Sequence, residues 1–569
     1  MSTSYFLNVN VDLLTRLPVT ARRVLEVGCG AGFLGAAYLA RNPRAEYIGV
    51  ELNAGAATAA AQRLSRVIIG DIESAEIVAQ LSDLGISFDL VVLGDVIEHL
   101  RDPWKALRDL QALTAPGGVC VACVPNVAHW SVLVQQLQGR WNYTDDGLLD
   151  HTHLRFFTLA TLWESFQQAG WTVVDAKSRI VKQEETDSAL AAFRSLAKVL
   201  DIPGETIDLH LSAYQWVLRA INGPAVKPLQ VVGVGLAKVA GCNEARIDYP
   251  LAALNTLPDI RAKWGELSVG FNSGEPGVMI FQRRYFNDAT INKQIDSLIA
   301  AGFAVVLDVD DDPRGHEWVE TDYYAFKRVH AVTVSTEALA SMARFWNPNV
   351  AVFPNAVFQL PEPGTGSPPQ RPPRIFFGAL NREADWESMI ESLIGAALEC
   401  TPGIEFVVVH DRAFFDRIPP SISKVFHPTL SHDEYLDQLK TCDIALLPLA
   451  DTEFNHMKSD LKLIECAACC VVAVCSPTVY GDNPDHAHFA QIARSPADWG
   501  NAIRQLCADP GLRQRMREQG YAYVKGQRMH AYQADERRRY YFALMEQLPA
   551  LEQQRQQRMQ VLKWRPENS

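Results

Sequence analysis

The sequence predicts an α/β protein built as three consecutive units, each a parallel sheet with crossover helices. Three observations predict it. Short apolar runs rich in β-branched residues alternate with helical patterns, the signature of βαβ connections. The alternation stops and restarts at two Gly/Pro-rich stretches, 222–228 and 360–373. The chain has 569 residues, which at roughly 100–200 per domain allows three or four domains. The expected units are 1–222, 228–358 and 372–548, followed by a polar basic tail, 549–569.

In the first unit, RRVLEV (22–27) reads as a strand and GFLGAAYLARN as a helix with apolar spacing near 3.6. AEYIGV (45–50), RVIIG, FDLVVLG (88–94) and GGVCVACV (117–124) supply the next strands. TLATLWESFQQAG is a helix closed by Gly170, WTVVDAKSRIV a sixth strand, 186–203 a helical insertion and AYQWVLRAI (213–221) a seventh strand. In the second unit LQVVGVGLA, GVMIFQR (277–283), GFAVVLDVDDD (302–312), HAVTVST (330–336) and VAVFPN (350–355) are strands. In the third, RIFFGAL, IEFVVVHD, KVFHP, DIALLPLA and CVVAVCSP are strands separated by helical patterns. The last ~60 residues are helical and polar.

Composition narrows the function classes. Hydrophobic residues are 48% and charged residues 21%, which excludes a disordered, collagenous or coiled-coil chain. A net charge of −13 argues against broad nucleic-acid binding. No run reaches ~18 apolar residues, and the opening MSTSYFLNVNVDLLTRLPVT has no basic-then-apolar leader, so the expected location is cytoplasmic. The 11 cysteines are an odd number, expected to be reduced. The pairs Cys120/Cys123 and Cys466/Cys469 have zinc-like spacing but sit in buried strand and helix-end patterns, so inert thiols are expected.

Val24–Gly32 runs strand, glycine turn, helix start, with the spacing E-x-G-x-G-x-G. Glycines there let a backbone approach a ligand closely. Glu51 ends the second strand, placed to accept from ribose hydroxyls, and Gly70-Asp71-Ile72 ends the third. With GDVIEHLRDPWKAL (94–107) and PGG (116–118), this set resembles the class I S-adenosylmethionine-dependent methyltransferases over about 20–222. PNVAHW and GRWNYTDDGLLDHTHLRFFT (139–158) resemble a subgroup found beside bacterial surface-glycan genes. The resemblance implies that Glu26, Gly28 and Gly30 hold the methionine part of the cofactor, Glu51 the ribose, and Asp71 and Ile72 the adenine. Gly32 and Asp95 complete the cofactor-binding set.

Methyl transfer to a hydroxyl needs the proton removed, and histidine suits that near pH 7. His151 and His153, with Asp150, stand in D-H-T-H-L-R-F-F; they can act as base, as structural donors or as metal ligands. His99 is the other candidate, and His129 is read as structural. No second carboxylate-rich segment stands at obvious ligand spacing, so a base, a metal-independent reaction and no bound metal are expected.

In the third unit a strand ends at Pro448, a loop carries Asn455, Lys458, Ser459 and Asp460, and a helix carries Lys462 and Glu465. A helix start with a nearby lysine and a carboxylate one turn along suits a nucleoside diphosphate. The segment resembles the nucleotide-sugar half of GT-B glycosyltransferases, close to group 1, and the resemblance spans about 228–548. It implies that Glu465 holds the donor ribose and that Asn381 and Arg382 meet phosphate. Met457 stands where many relatives carry a second glutamate. The acidic run Asp308, Asp310, Asp311, Asp312 resembles a D-x-D metal motif; Asp310 and Asp311 are read as an acceptor-side feature of the cleft, with helix capping and metal binding as alternatives.

The fold expected is therefore a Rossmann-like methyltransferase domain followed by the two Rossmann-like domains of a GT-B glycosyltransferase. The function expected is transfer of a sugar from a nucleotide-sugar donor and O-methylation of a bacterial surface glycan or lipid-linked glycan acceptor. The alternatives are a glycosyltransferase with a non-catalytic cofactor-binding or docking domain, and a non-catalytic scaffold. Residues 511–569 hold 12 Lys/Arg against 6 Asp/Glu. Arg537, Arg538, Arg539, Arg555, Arg558, Lys563 and Arg565 would contact the inner face of a membrane, unless this segment folds back as a helix on the cleft.

Overall fold

β1 (Arg23–Val27) sends Leu25 and Val27 to one face of a sheet and Val24 to the other, and both faces are buried. A strand covered on both sides reads as a continuous apolar run, which is why it stood out in the sequence. The computed structural model in which this is seen describes residues 9–237, 241–314, 316–362, 371–379, 382–400 and 403–562. Asn381, most of the 360–373 linker, Lys563 and Arg565 lie outside the described residues.

The remaining strands of the first sheet are β2 (Glu46–Glu51), β3 (Arg66–Ile69), β4 (Phe88–Gly94), β5 (Thr114–Pro125), β6 (Thr172–Arg179) and β7 (Gln215–Ile221). Their order is β3-β2-β1-β4-β5-β7-β6. β1 to β5 pair in parallel, and β7 runs antiparallel between β5 and β6. The strand order reverses between β1 and β4, which opens a crevice beyond their carboxyl ends. Gly170 (φ +91°) stops the helix Leu159–Gln168 as expected. The insertion folds as two helices, Thr186–Val199 and Gly204–Ser212.

The second sheet has β8 (Leu229–Gly235), β9 (Ile260–Glu266), β10 (Gly277–Gln282), β11 (Ala304–Val309), β12 (Ala331–Val334) and β13 (Val350–Val352) in the order β13-β12-β11-β10-β8-β9. The third has β14 (Arg374–Gly378), β15 (Glu405–Val409), β16 (Ser423–His427), β17 (Ile444–Leu447), β18 (Val472–Cys475) and β19 (Ala490–Ile492) in the order β16-β15-β14-β17-β18-β19. That is the order of a doubly wound sheet, with its reversal between β14 and β17. The sequence reading did not include β9 or β19. β9 alternates buried residues with exposed Arg261 and Lys263, and β19 has only three residues, so neither gives an apolar run.

The chain divides into two compact units, Met1–Pro228 with Asn255–Ile260, and Leu229–Leu254 with Arg261–Ser569. The second and third sheets thus belong to one unit. Within it, the helix Pro510–Gln527 packs on Leu461–Ala468, His530–Glu546 packs on Tyr249–Leu254, and Leu548–Gln560 packs on Tyr324–Arg328. This docking is the fold-back alternative, seen for Arg537, Arg555 and Arg558, while Arg539 stays exposed. Arg537 is buried with its guanidinium 4.2 Å from the Phe353 ring centre, Arg555 is buried against Glu552, and Arg558 donates to the Val329 carbonyl at 2.8 Å. These charges hold helices in place. Among the described residues no helix is long and apolar enough to cross a membrane.

Candidate functional site

The crevice between β1 and β4 receives the glycine turn. Gly28, Gly30 and Gly32 adopt φ of +69°, +53° and +81°. A Cβ on Gly28 would lie 2.7 Å from Val96 Cγ2, so the turn has no room for a side chain there. Glu51, at the end of β2, accepts from the Gly30 N–H and the Asn53 N–H, each at 2.8 Å. One lone pair on each oxygen stays available for a diol. Glu26 is buried with Oε2 unpartnered, and burial pushes its carboxyl up to about 8. Asp71 accepts from the Glu73 N–H and from Arg101, both at 2.9 Å, at the rim. These residues fit S-adenosylmethionine: close backbone approach, a ribose carboxylate and an unsatisfied acceptor. Ile72 is a correction. It is buried in the core beside Ile68 and Ile77, because the turn after β3 directs it inward, so its side chain is structural.

Asp95 follows β4 in a left-handed conformation (φ +53°), half-buried, and accepts from Gln215. Burial pushes its carboxyl up to about 6, against Arg179 and Gln215. The chain then makes one tight turn, Ile97–His99. The Glu98 carbonyl accepts from the Leu154 and Arg155 N–H groups at 2.8 and 3.0 Å. Those two bonds fasten the D-H-T-H-L-R segment to the turn and bring His153 against His99, ring centres 4.8 Å apart and edge-to-face. Each Nδ1 faces a backbone carbonyl, His99 with Thr152 and His153 with Leu148, both at 3.3 Å. Burial holds both imidazoles below their ordinary value and therefore neutral. His151 is not brought in; its side chain is exposed and turns to the Thr144 carbonyl, because the chain turns at His151–Thr152 instead of running extended. Asp150 orients the segment by accepting from the Thr152 N–H and hydroxyl, both at 2.7 Å. Burial raises its carboxyl, and those bonds overcome that and hold it low. His129 caps the helix Trp130–Leu137, a structural role as expected.

Glu98 was missed in the sequence reading. It is 1% exposed, both carboxylate oxygens lack partners, and burial with Asp95 and Asp150 nearby pushes it well above the carboxylate range. Its ligand atom lies within 4.8 Å of those of His99 and His153. The case for a metal-free base rested on the lack of a second carboxylate at ligand spacing. Glu98 supplies that carboxylate from the turn after β4, which spacing along the chain does not reveal.

The second crevice lies beyond β14 and β17. Here several expected contacts turn inward. Asn455 donates to Asp385 and to the Ala450 carbonyl and is buried, so it fixes its own loop. Asp460 is chelated by Arg528 and faces His486, which hold it far below the carboxylate range despite burial. Ser459 accepts from Asn355 at 2.7 Å. Lys462 donates to the Gly378 carbonyl at 2.8 Å and tethers its helix to β14. Arg382 pairs with Asp385 at 3.0 Å. Glu465 alone of the helix set faces open space. It lines a cavity of about 350 Å³ with Tyr249, Phe358, Gln359, His432 and Lys440, and lies 3.5 Å from His432. Burial raises its carboxyl. Tyr249 and Phe358 stack at 5.2 Å, 8° from parallel.

The acidic run is matched by cations. Asp308 forms a two-bond pair with buried Arg246, Asp310 accepts from Arg283 at 2.5 Å, and Asp311 faces Lys458 at 3.2 Å. Asp310 and Asp311 thus tie β11 to β10 and to the loop of the third sheet.

Two family models match the chain, a methyltransferase domain over residues 4–176 and a glycosyl transferase-like family over 382–537. The chain joins a methyltransferase domain to a glycosyl transferase-like domain. Curated relatives of the first part include the ubiquinone biosynthesis O-methyltransferase of Ruegeria pomeroyi, 29% identical over 169 residues, which are 29% of this chain and 66% of that protein. The enzyme of the same name from Cereibacter sphaeroides is 28% identical over 186 residues, 32% of this chain and 72% of that one. The chain spans about two thirds of the length of these relatives. Among solved structures, a SAM-dependent methyltransferase from Archaeoglobus fulgidus aligns at 18% identity and TM-score 0.26, covering 38% of this chain and 96% of that one.

The methyltransferase domain gathers two neutral imidazoles and a buried carboxyl group after β4. The glycosyl transferase-like domain and the elements packed on it place a carboxyl group, Glu465, and an aromatic pair on one cavity.

Proposed function

We propose that the chain is a bifunctional enzyme of glycan assembly. Its methyltransferase domain O-methylates a sugar with S-adenosylmethionine, and its glycosyl transferase-like domain adds a sugar from a nucleotide-sugar donor. The acceptor is a bacterial surface glycan, free or lipid-linked. The observation that carries the reading is that the strand-order reversals of the first and third sheets each have a carboxylate suited to ribose in the segment that follows, Glu51 in one unit and Glu465 in the other. The O-methyltransferase activity for which the ubiquinone relatives are named supports a hydroxyl acceptor.

S-Adenosylmethionine, when bound, supplies an electrophilic methyl carbon. The protein's part is placement and proton removal. Glu51 grips the ribose diol, the Gly28–Gly32 backbone closes on the methionine end, and Glu26 accepts from its ammonium. The acceptor hydroxyl sits against Glu98, His99 and His153 and loses its proton there. In the other unit Glu465 grips the donor ribose, and Arg382 and Lys458 are the cations assigned to its diphosphate.

Titration calorimetry with S-adenosylmethionine and a panel of nucleoside diphosphates tests the reading. Two independent ligands are expected, followed by a mass gain of one hexose-type residue and one methyl on a glycan acceptor. Nucleotide binding without S-adenosylmethionine would leave a glycosyltransferase with a docking domain, and binding of neither would leave a scaffold.

A further inference from the structure

We infer that Glu98, His99 and His153 form a binding site for a divalent first-row transition-metal ion. The ligand atoms of the three lie within 4.8 Å of one another, and they are the one such group among the described residues. Glu98 carries the inference. A carboxylate 1% exposed with neither oxygen hydrogen-bonded is costly to keep in a folded protein. Asp95 and Asp150 crowd further negative charge around it, a setting that a cation relieves.

The histidines are pre-set as ligands. In each, Nδ1 faces a main-chain carbonyl at 3.3 Å, Thr152 for His99 and Leu148 for His153, which places the proton on Nδ1 and leaves the Nε2 lone pair free. A carbonyl accepting from the far ring nitrogen is the usual arrangement of metal-binding histidine. Asp150 holds the Thr152 N–H and hydroxyl, fixing the loop that carries both the Thr152 carbonyl and His153. Two imidazoles and one carboxylate suit Mn²⁺, Fe²⁺, Co²⁺ or Zn²⁺ better than Ca²⁺ or Mg²⁺, and three protein ligands leave coordination positions open. Bonds of ~2.1 Å set ligand atoms about 3–3.5 Å apart, so the group draws in slightly on loading. An ion there lowers the pKa of a hydroxyl that binds it. That role rests on the function proposed above; metal binding itself does not.

The full chain, stripped with a chelator and titrated with Co²⁺, tests the inference. One equivalent is expected to bind with the visible absorption bands of a nitrogen- and oxygen-ligated ion. Glu98→Gln, which keeps the side-chain volume, and His153→Ala should each weaken binding by at least roughly 100-fold, beyond the 10–100-fold of outer-shell changes. His151→Ala, on the exposed neighbour, should leave it unchanged. Thermal unfolding of each apo variant establishes that it is folded. Stoichiometric binding that survives both Glu98→Gln and His153→Ala in folded protein would overturn the site, and so would the absence of Co²⁺ binding by the stripped wild type. Because Co²⁺ binding is read without any methyl acceptor, failure of the glycan reading leaves this result standing, and the reverse.

Discussion

Gly28 is held at φ +69° with Val96 pressed against the place a Cβ would occupy. Gly28→Ala adds left-handed strain of ~1–2 kcal/mol and a clash, so S-adenosylmethionine affinity should fall at least ~tenfold. Glu51→Ala removes a charge-assisted contact worth ~1.5–3 kcal/mol, about ten- to a hundredfold in the same titration; unchanged affinity would show the ribose to be held elsewhere. In the other unit Glu465→Ala should weaken nucleoside diphosphate binding by a similar ~10–100-fold. An unaltered calorimetric isotherm would remove Glu465 from the donor site. The glycine turn and Glu51 were legible in the sequence because their spacing is local and their role is set by strand ends. Glu98 was not, since its meaning comes from a loop some fifty residues on. Asn455, Asp460 and Lys462 were legible as a polar loop and helix start, yet their partners, Asp385, Arg528 and the Gly378 carbonyl, come from distant segments that one chain stretch cannot show.

At the level of elements, apolar runs gave away the buried strands, while β9 passed unseen because exposed Arg261 and Lys263 interrupt it, and β19 because it has only three residues. The closing helix Leu548–Gln560 read as a solvated basic tail, but its register places Glu552 and Arg555 against His330. The Val305 N–H donates to His330 Nδ1 at 2.9 Å, so Nε2 carries the proton and faces Glu552 at 3.0 Å. Protonating Nδ1 would break the first bond. Burial, with Arg555 and Arg558 nearby, lowers His330 to about 4, although Glu552 opposes this. A histidine lowered on folding costs nothing above its unfolded value of ~6.5 and loses stability as pH falls below it. The loss is about 2 kcal/mol at pH 5 and approaches ~3 kcal/mol below pH 4. Hydrogen exchange in 548–560 should therefore quicken between pH 7 and pH 5, after correction for intrinsic rates, and His330→Gln should abolish the dependence. Protection that is flat across this range in the wild type would refute the coupling.

On the scale of the whole molecule, the sequence divided the chain at 222–228, and the first compact unit does end at Pro228, apart from the excursion Asn255–Ile260. The sequence also read two later domains; the second and third sheets keep separate cores within one compact unit, where the helices from His530 to Gln560 return to the elements around β8, β10 and β12. Separate cores should melt separately. The sheet of the methyltransferase domain buries its own clusters on both faces, and the other sheets bury theirs. A ligand that binds only the native form of one unit then stabilises that unit alone. At a hundred times its dissociation constant it contributes ~2.7 kcal/mol. A unit of this size gains about 2–4 °C per kcal/mol, so S-adenosylmethionine should raise one calorimetric transition by roughly 5–11 °C and leave the other in place. A nucleoside diphosphate should do the converse. Glu51→Ala should abolish the first shift without touching the second, since sites without shared partners act additively within ~0.5 kcal/mol. A single transition that moves with either ligand would show that the two units fold as one cooperative body and would end the independent-site account.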